Sequence, residues 1–273
     1  MRPGTNHVTE RLRRIESRHN ALVKDLRKAF AQAGQADDSP CAIEGFHIVE
    51  EAIRSGLRFQ AIFFSASAEG RAERLLQQMA AQVETILLPD RIFSSVVATD
   101  APQGVAALVR CKSFSLEDIL ARSAAGPLLA LAGVQDPGNL GTMLRSAEAF
   151  DAGGVLLGEG TVSPFNPKAV RASAGSVFRI PMVKVVLAGA LPHLRAQGLR
   201  LVATYSHKGT PLPEARLDGS LALFIGNEGA GLPRELMAEM DETIVIPHSS
   251  RVESLNASIA ASIVLYEITR QKQ

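Results

Sequence analysis

The sequence predicts an α/β protein of two domains, the larger built on a mostly parallel sheet covered by helices on both faces. Residues 127–273 alternate short apolar runs with helix-forming stretches, the βα repetition that parallel sheets require. A shorter α/β set occupies residues 41–111, and the serine- and glycine-bearing stretch 112–126 interrupts the pattern as a linker. A chain of 273 residues, 46% hydrophobic and 21% charged, has the length and apolar content for two cores, which excludes a disordered or low-complexity protein.

Residues 1–40 form a basic N-terminal segment. Over 2–28, Arg2, Arg11, Arg13, Arg14, Arg18, Lys24, Arg27 and Lys28 face only Glu10, Glu16 and Asp25. Leu12, Ile15, Leu22, Val23 and Leu26 recur at mixed three- and four-residue spacings, which predicts a helix with one apolar stripe before a turn at 34–40. A solvated helix face and an RNA contact both suit such a segment, with Arg14, Arg18 and Lys24 as the candidate contacts. Apolar runs at 59–64, 83–88 and 104–109 read as strands, separated by helical stretches at 46–54 and 68–82. A short helix is expected near 116–121. Beyond the linker, strands are expected at 128–134, 155–157, 181–185, 199–204, 221–225 and 243–246.

Lys and Arg total 29 against 28 Asp and Glu, so any nucleic-acid site must be a local patch. Two cysteines, Cys41 and Cys111, are too few for a disulfide framework and lack zinc-ligand spacing; a reducing compartment and no metal are expected. Apolar stretches such as 127–134 and 259–266 fall short of the roughly 20 residues that cross a bilayer, and the N-terminus lacks an apolar signal core. A cytoplasmic protein is the expectation.

Sites in parallel sheets lie on loops beyond the carboxyl ends of strands, and three such loops stand out. The first, Asp136-Pro137-Gly138-Asn139-Leu140-Gly141, leads into a helix over 142–150; Asp136 or Asn139 can cap it, and Arg145 follows six residues after Asn139, placed to fork onto a phosphate. The second, from Gly226 to Leu232, places Gly226, Gly229 and Gly231 around Glu228. Its spacing is neither a dinucleotide fingerprint nor a phosphate loop, but it lets backbone approach a planar ligand closely. The third runs from Ile246 through Ser254 and Asn256 into an apolar helix over 259–268, with one of those two polar residues expected as its cap. Small residues Ala257, Ser258, Ala260, Ala261 and Ser262 permit close helix packing, within the chain or against a second subunit.

Taken in order, these loops resemble the SpoU/TrmH branch of the SPOUT RNA 2′-O-ribose methyltransferases. Asn139 with Arg145 is similar to the family's first motif, the segment around Glu228 to its second, and Ile246-Pro247 followed by Val252-Glu253-Ser254-Leu255-Asn256-Ala257-Ser258 to its third. Residues 166–176 resemble its linking region. Upstream, Ile43-Glu44-Gly45-Phe46-His47 is similar to the start of the substrate-binding domain of ribosomal-RNA members. The resemblance implies a C-terminal SPOUT domain with a deep trefoil knot, a small N-terminal α/β RNA-binding sandwich, a homodimer and S-adenosylmethionine as cofactor. It places cofactor contacts at Gly226, Ile246 and Leu255, chiefly through main-chain atoms, and a catalytic set at Asn139, Arg145, Glu228, Ser254 and Asn256, with Arg145 reaching across the dimer. Lys168 and Arg171 are expected near that site as RNA contacts. The third motif departs from the family where His248 replaces a frequent methionine and Ser250 a frequent glycine; a positive φ at Ser250 would strain the loop.

What these residues imply is methyl transfer to a ribose 2′-hydroxyl, most readily of 23S-type ribosomal RNA, through positioning rather than a metal. Arg145 is a poor base, since a guanidinium stays protonated at any ordinary pH, so its expected role is charge-assisted grip of the acceptor, with Glu228 ordering the loops or anchoring Arg145. Two alternatives are a tRNA 2′-O-methyltransferase and a non-catalytic RNA-binding or ribosome-assembly factor; retention of Asn139, Arg145, Glu228 and Asn256 argues against the second. A nicotinamide-dependent oxidoreductase fits the βα alternation but lacks its glycine fingerprint.

Overall fold

Leu12 and Ile15 are buried on either side of a two-residue strand, Arg13–Arg14 (β1), whose own side chains face solvent. The computed structural model that shows this describes residues 11–32, 40–80, 82–99, 101–206 and 208–272, so the expected segment 1–40 is described over 11–32 and Pro40, and most of the expected turn at 34–40 lies outside the described residues. Only the second part of the expected N-terminal helix is helical. Asn20 accepts a hydrogen bond from the Leu22 N–H at the start of Ala21–Gln32 (α1), whereas Arg13 and Arg14 pair with a strand instead.

The chain continues through Cys41–Glu44 (β2), Phe46–Arg54 (α2), Arg58–Ser65 (β3), Glu69–Leu76 (α3), Glu84–Leu88 (β4), Asp90–Val96 (α4) and Val105–Arg110 (β5). Their strands form a sheet of order β1-β4-β3-β5-β2, parallel from β1 to β3 and antiparallel around β5. Val23, Leu26 and Phe30 of α1 close one core over Phe63, Ile86 and Leu108. Helix α3 is shorter than the expected stretch 68–82: it stops at Leu76, and the N–H groups of Gln78 and Met79 bond three residues back, which tucks Met79 into the interior.

Next come Leu116–Leu120 (α5), Leu128–Leu131 (β6), Pro137–Ala149 (α6), Gly154–Leu157 (β7), Pro167–Ser173 (α7), Met182–Lys184 (β8), Leu187–Ala196 (α8), Arg200–Thr204 (β9), Thr210–Pro211 (β10), Leu221–Ile225 (β11), Arg234–Ala238 (α9), Glu242–Val245 (β12) and Ala257–Lys272 (α10). Ser115 and Asp118 start α5 with a reciprocal capping box. All seven strands of the second sheet run parallel, in the order β10-β12-β9-β11-β6-β7-β8. Strands β6, β7 and β11 are buried at every residue, as a sheet covered on both faces demands. One core joins Leu128, Ala130, Leu201 and Phe224 to Leu187, Leu191 and Leu194 of α8.

Two compact units result. The first holds the described residues of Met1–Lys112 together with Phe165–Phe178, the second those of Ser113–Pro164 and Arg179–Gln273. Helix α7 therefore belongs with the first unit although its neighbours in the chain build the second sheet; it packs against β2, and Gly175 lies against the Glu51 side chain. Among the described residues no helix is long and apolar enough to cross a membrane.

Candidate active site

Asp136 leaves β6 as the N-cap of α6, its carboxylate accepting from the Asn139 N–H at 2.8 Å, with Pro137 preset for the first helical position. Helix α6 thus begins five residues before the expected start at 142. This places Asn139 in the first turn, where its side chain reaches the other two loops. Its Nδ2 donates to Glu228 at 3.1 Å, and its Oδ1 accepts from Asn256 Nδ2 at 3.0 Å and from the Ser258 hydroxyl at 3.3 Å. Glu228 also accepts from the N–H groups of Gln135 at 3.3 Å and Asp136 at 3.2 Å. Burial alone would push the Glu228 carboxyl up, but the Asn139 amide and the backbone donors outweigh it and hold the group below the usual carboxylate range.

The glycine loop after β11 folds tightly on itself, with Asn227 and Gly231 exchanging backbone hydrogen bonds at 3.0 and 2.9 Å. A Cβ on Gly226 would fall 2.2 Å from the Gly231 carbonyl carbon, so only glycine permits this closure, and Gly231 itself takes φ +68°. In the third loop Asn256 is the helix cap, its Oδ1 accepting from the Ser258 and Ile259 N–H groups. Ser250 does not need a positive φ: among the described residues only Asp151 and Ala174 adopt one without being glycine. His248 bonds the Ile246 carbonyl at 2.7 Å and so braces its own loop.

These loops enclose a cavity of about 360 Å³ beyond the carboxyl ends of β9, β11 and β12, lined by residues that include Tyr205, Gly226, Glu228, Ile246, Ser254 and Leu255. Such a volume suits a small-molecule cofactor. Among the described residues no lysine or arginine lines it, a lining that does not suit a polyphosphate. Ile225, Leu232, Ile246 and Leu255 offer apolar walls for a planar base, and the Glu228 and Glu253 carboxylates offer acceptors for hydroxyl and cationic groups. That donor set fits S-adenosylmethionine, which carries an adenosine, a sulfonium and an amino acid and no phosphate. Among the described residues no group of three or more His, Cys, Asp or Glu is placed to hold a metal.

The structure brings together Asn139, Glu228 and Asn256 by hydrogen bonds, and Gly226, Glu228, Ile246, Ser254 and Leu255 around one cavity. It does not join Arg145 to them. That residue is exposed on α6 with no ion pair or hydrogen-bond partner among the described residues, while Glu228 within the same chain bonds the backbone and side chains of the loops. Arg14, Arg18, Lys24, Lys168 and Arg171 are all exposed and all fall in the first unit, Arg14 within 3.5 Å of Glu69. Lys168 and Arg171, expected near the cofactor loops, thus sit on a helix packed against β2. Ser258, which the sequence offers as a small packing residue and the end of the third motif, is also a member of this network, a role the sequence reading did not assign to it.

A parallel sheet whose carboxyl-edge loops enclose a phosphate-free nucleoside pocket defines an α/β enzyme that uses a nucleoside cofactor. Residues 126–266 match the model described as the SpoU rRNA Methylase family, and residues 42–114 the one described as RNA 2'-O ribose methyltransferase substrate binding. The 23S rRNA (guanosine(2553)-2'-O)-methyltransferase RlmP of Bacillus subtilis is 34% identical over 257 residues, covering 94% of this chain and 99% of that protein. The 23S rRNA (guanosine-2'-O-)-methyltransferase RlmB of Vibrio vulnificus is 38% identical over 158 residues, 58% of this chain and 64% of its own. Among solved structures, the AdoMet-bound rRNA methyltransferase from Sinorhizobium meliloti superposes with a TM-score of 0.83 at 28% identity, covering 96% of this chain and 99% of that one. The SpoU methyltransferase AviRb from Streptomyces viridochromogenes, in complex with AdoMet, gives 0.81 at 27% identity, covering 93% and 98%. The chain belongs to the SpoU rRNA methylase family, enzymes that transfer a methyl group from S-adenosylmethionine to a ribose 2′-hydroxyl of RNA.

Proposed function

We propose that the chain methylates a ribose 2′-hydroxyl of 23S-type ribosomal RNA, acting in the cytoplasm as a homodimer whose C-terminal segment is knotted around the cofactor pocket. The observation that carries this is the Asn139–Glu228–Asn256 network, which ties all three family loops to one cavity of cofactor size. The ribosomal target rests on RlmP, which matches along nearly the whole chain. For the dimer, Ile259 and Tyr266 stand 52% and 54% exposed two helical turns apart on α10, an apolar stripe fit for a second copy.

When bound, S-adenosylmethionine supplies an activated methyl group and a neutral thioether leaving group. Gly226, Ile246 and Leu255 hold it through main-chain contacts, and Ser254 helps hold the acceptor ribose at the pocket mouth. Arg145, which has no partner among the described residues, forks onto the phosphate beside that ribose in the opposite copy. There it stabilises the charge that grows on the 2′-oxygen as its proton leaves. Arg145 keeps its own proton, since a guanidinium is too weak an acid to give one up near neutral pH and so cannot serve as the base, and the hydroxyl proton passes to solvent water.

The test is calorimetric binding of S-adenosylmethionine followed by mapping of 2′-O-methyl groups after incubation with unmodified ribosomal RNA. One modified ribose is expected. Arg145→Lys should keep cofactor binding and lose about two orders of magnitude in turnover, as loss of a transition-state donor does. Methylation of tRNA alone, or binding without methylation, would replace the reading with one of its alternatives.

A further inference from the structure

Helices α2 and α3 of the first unit border a cavity of about 390 Å³ whose lining includes Phe46, Glu50, Arg71, Glu73 and Arg74. Phe46 opens α2, and the Arg71 guanidinium carbon lies 3.8 Å from its ring centroid, within stacking contact. Phe46 itself is only 9% exposed, so its ring cannot receive another flat group; the exposed arginine above it can. Arg74 follows three residues later on the same face of α3. Neither guanidinium has an ion pair or side-chain hydrogen bond among the described residues, whereas Arg13, Arg14 and Arg54 of the same unit are paired with Glu84, Glu69 and Glu51.

Arginine donors and glutamate acceptors side by side do not suit a phosphate, which the carboxylates would repel. They suit the edge of a nucleobase, which carries donors and acceptors together. The chain has no tryptophan, and its two tyrosines, Tyr205 and Tyr266, lie in the second unit. Stacking in the first unit therefore falls to Phe, His and Arg.

We propose that this cavity seats one unpaired nucleobase of the RNA, stacked on Arg71 as the third layer of a Phe46–Arg71–base column, with Arg74 and Glu50 reading its edge. The inference rests on RNA as the substrate, and it makes Arg71 a positioning residue that acts through substrate placement and touches no reacting atom.

The probe is a 12-nucleotide single-stranded RNA carrying 2-aminopurine, whose fluorescence falls on stacking. The full-length protein should quench it. Arg71→Lys keeps the charge but loses the plane, and should abolish quenching and weaken binding by about tenfold, the order expected for one base stack. Arg71→Ala with Arg74→Ala should weaken it further while leaving cofactor affinity unchanged. With ribosomal RNA the Arg71→Lys effect should fall on KM and spare kcat. The proposal is overturned by wild-type protein that does not quench, by variants that quench like wild type, or by a fully paired duplex that competes as well as the single strand. Quenching without methylation of any RNA would sink the proposed enzymatic function and leave the base site standing.

Discussion

Glu228 gathers four donors, from Gln135, Asp136, Asn139 and Asn227, onto one carboxylate. Because its folded pKa lies below the unfolded value of 4.5, ionised Glu228 stabilises the loops at pH above about 4.5, and that contribution is lost as pH falls through the folded value. Cofactor affinity should therefore hold from pH 7 to 5 and drop below about 4.5. Glu228→Gln, which turns an amide NH2 donor towards the same donors, should weaken binding about tenfold at pH 7 by unsatisfying at least one of them. Calorimetry across that range checks both; a profile identical to wild type would refute the ordering role. Asn139, Glu228 and Asn256 were legible in the sequence because each is fixed by its place in an ordered motif. The part Ser258 plays was not, although it ends the same motif as Asn256, since a serine in a first helical turn is common and its bond to Asn139 spans distant parts of the chain. The strain expected at Ser250 did not arise, because the loop closes with ordinary φ there.

Helices α6 and α10 pack through small side chains, with the Ser146 and Ser262 hydroxyls 2.6 Å apart and Ala261 fully buried. The expected close packing of the small-residue helix is thus met within one chain. Ala261→Leu forces extra volume into that seam and should destabilise the protein by about 1–3 kcal/mol. Because Asn139 starts one helix and Asn256 caps the other, the same change should also weaken cofactor binding. Urea unfolding and calorimetry on the variant test this; unaltered stability would show a looser seam. Six strands of the second sheet were legible as apolar runs flanked by turns, most plainly β6, β7 and β11, where burial on both faces leaves no alternation to confuse them. Strands β1, β2 and β10 were not. β1 and β10 are two residues long and hold too little pattern, and Cys41–Glu44 of β2 ends in a charged residue; what makes all three strands is the partner each finds, β4, β12 and β5.

Across the whole molecule, composition and alternation disclosed two α/β parts, but no local signal told which part would claim residues 165–178. A segment rich in small and basic residues reads the same wherever it docks; its packing against β2 is a property of the assembled chain. The basic residues expected to meet RNA, from Arg14 to Arg171, consequently gather in one unit. A shortened chain beginning at residue 113 would lose the partner of that segment and uncover Ala169, Val170, Val177 and Phe178, all buried in the full protein. It should bind a hydrophobic dye strongly and melt well below the intact chain; a dye-silent fragment of equal melting temperature would contradict this.

The path of the chain out to α7 and back also works as a fastening. A protease that nicks the connection near residue 112 severs the backbone once, yet the downstream fragment still carries a strap buckled into the upstream one. The nicked halves should travel together on a sizing column and part only in denaturant.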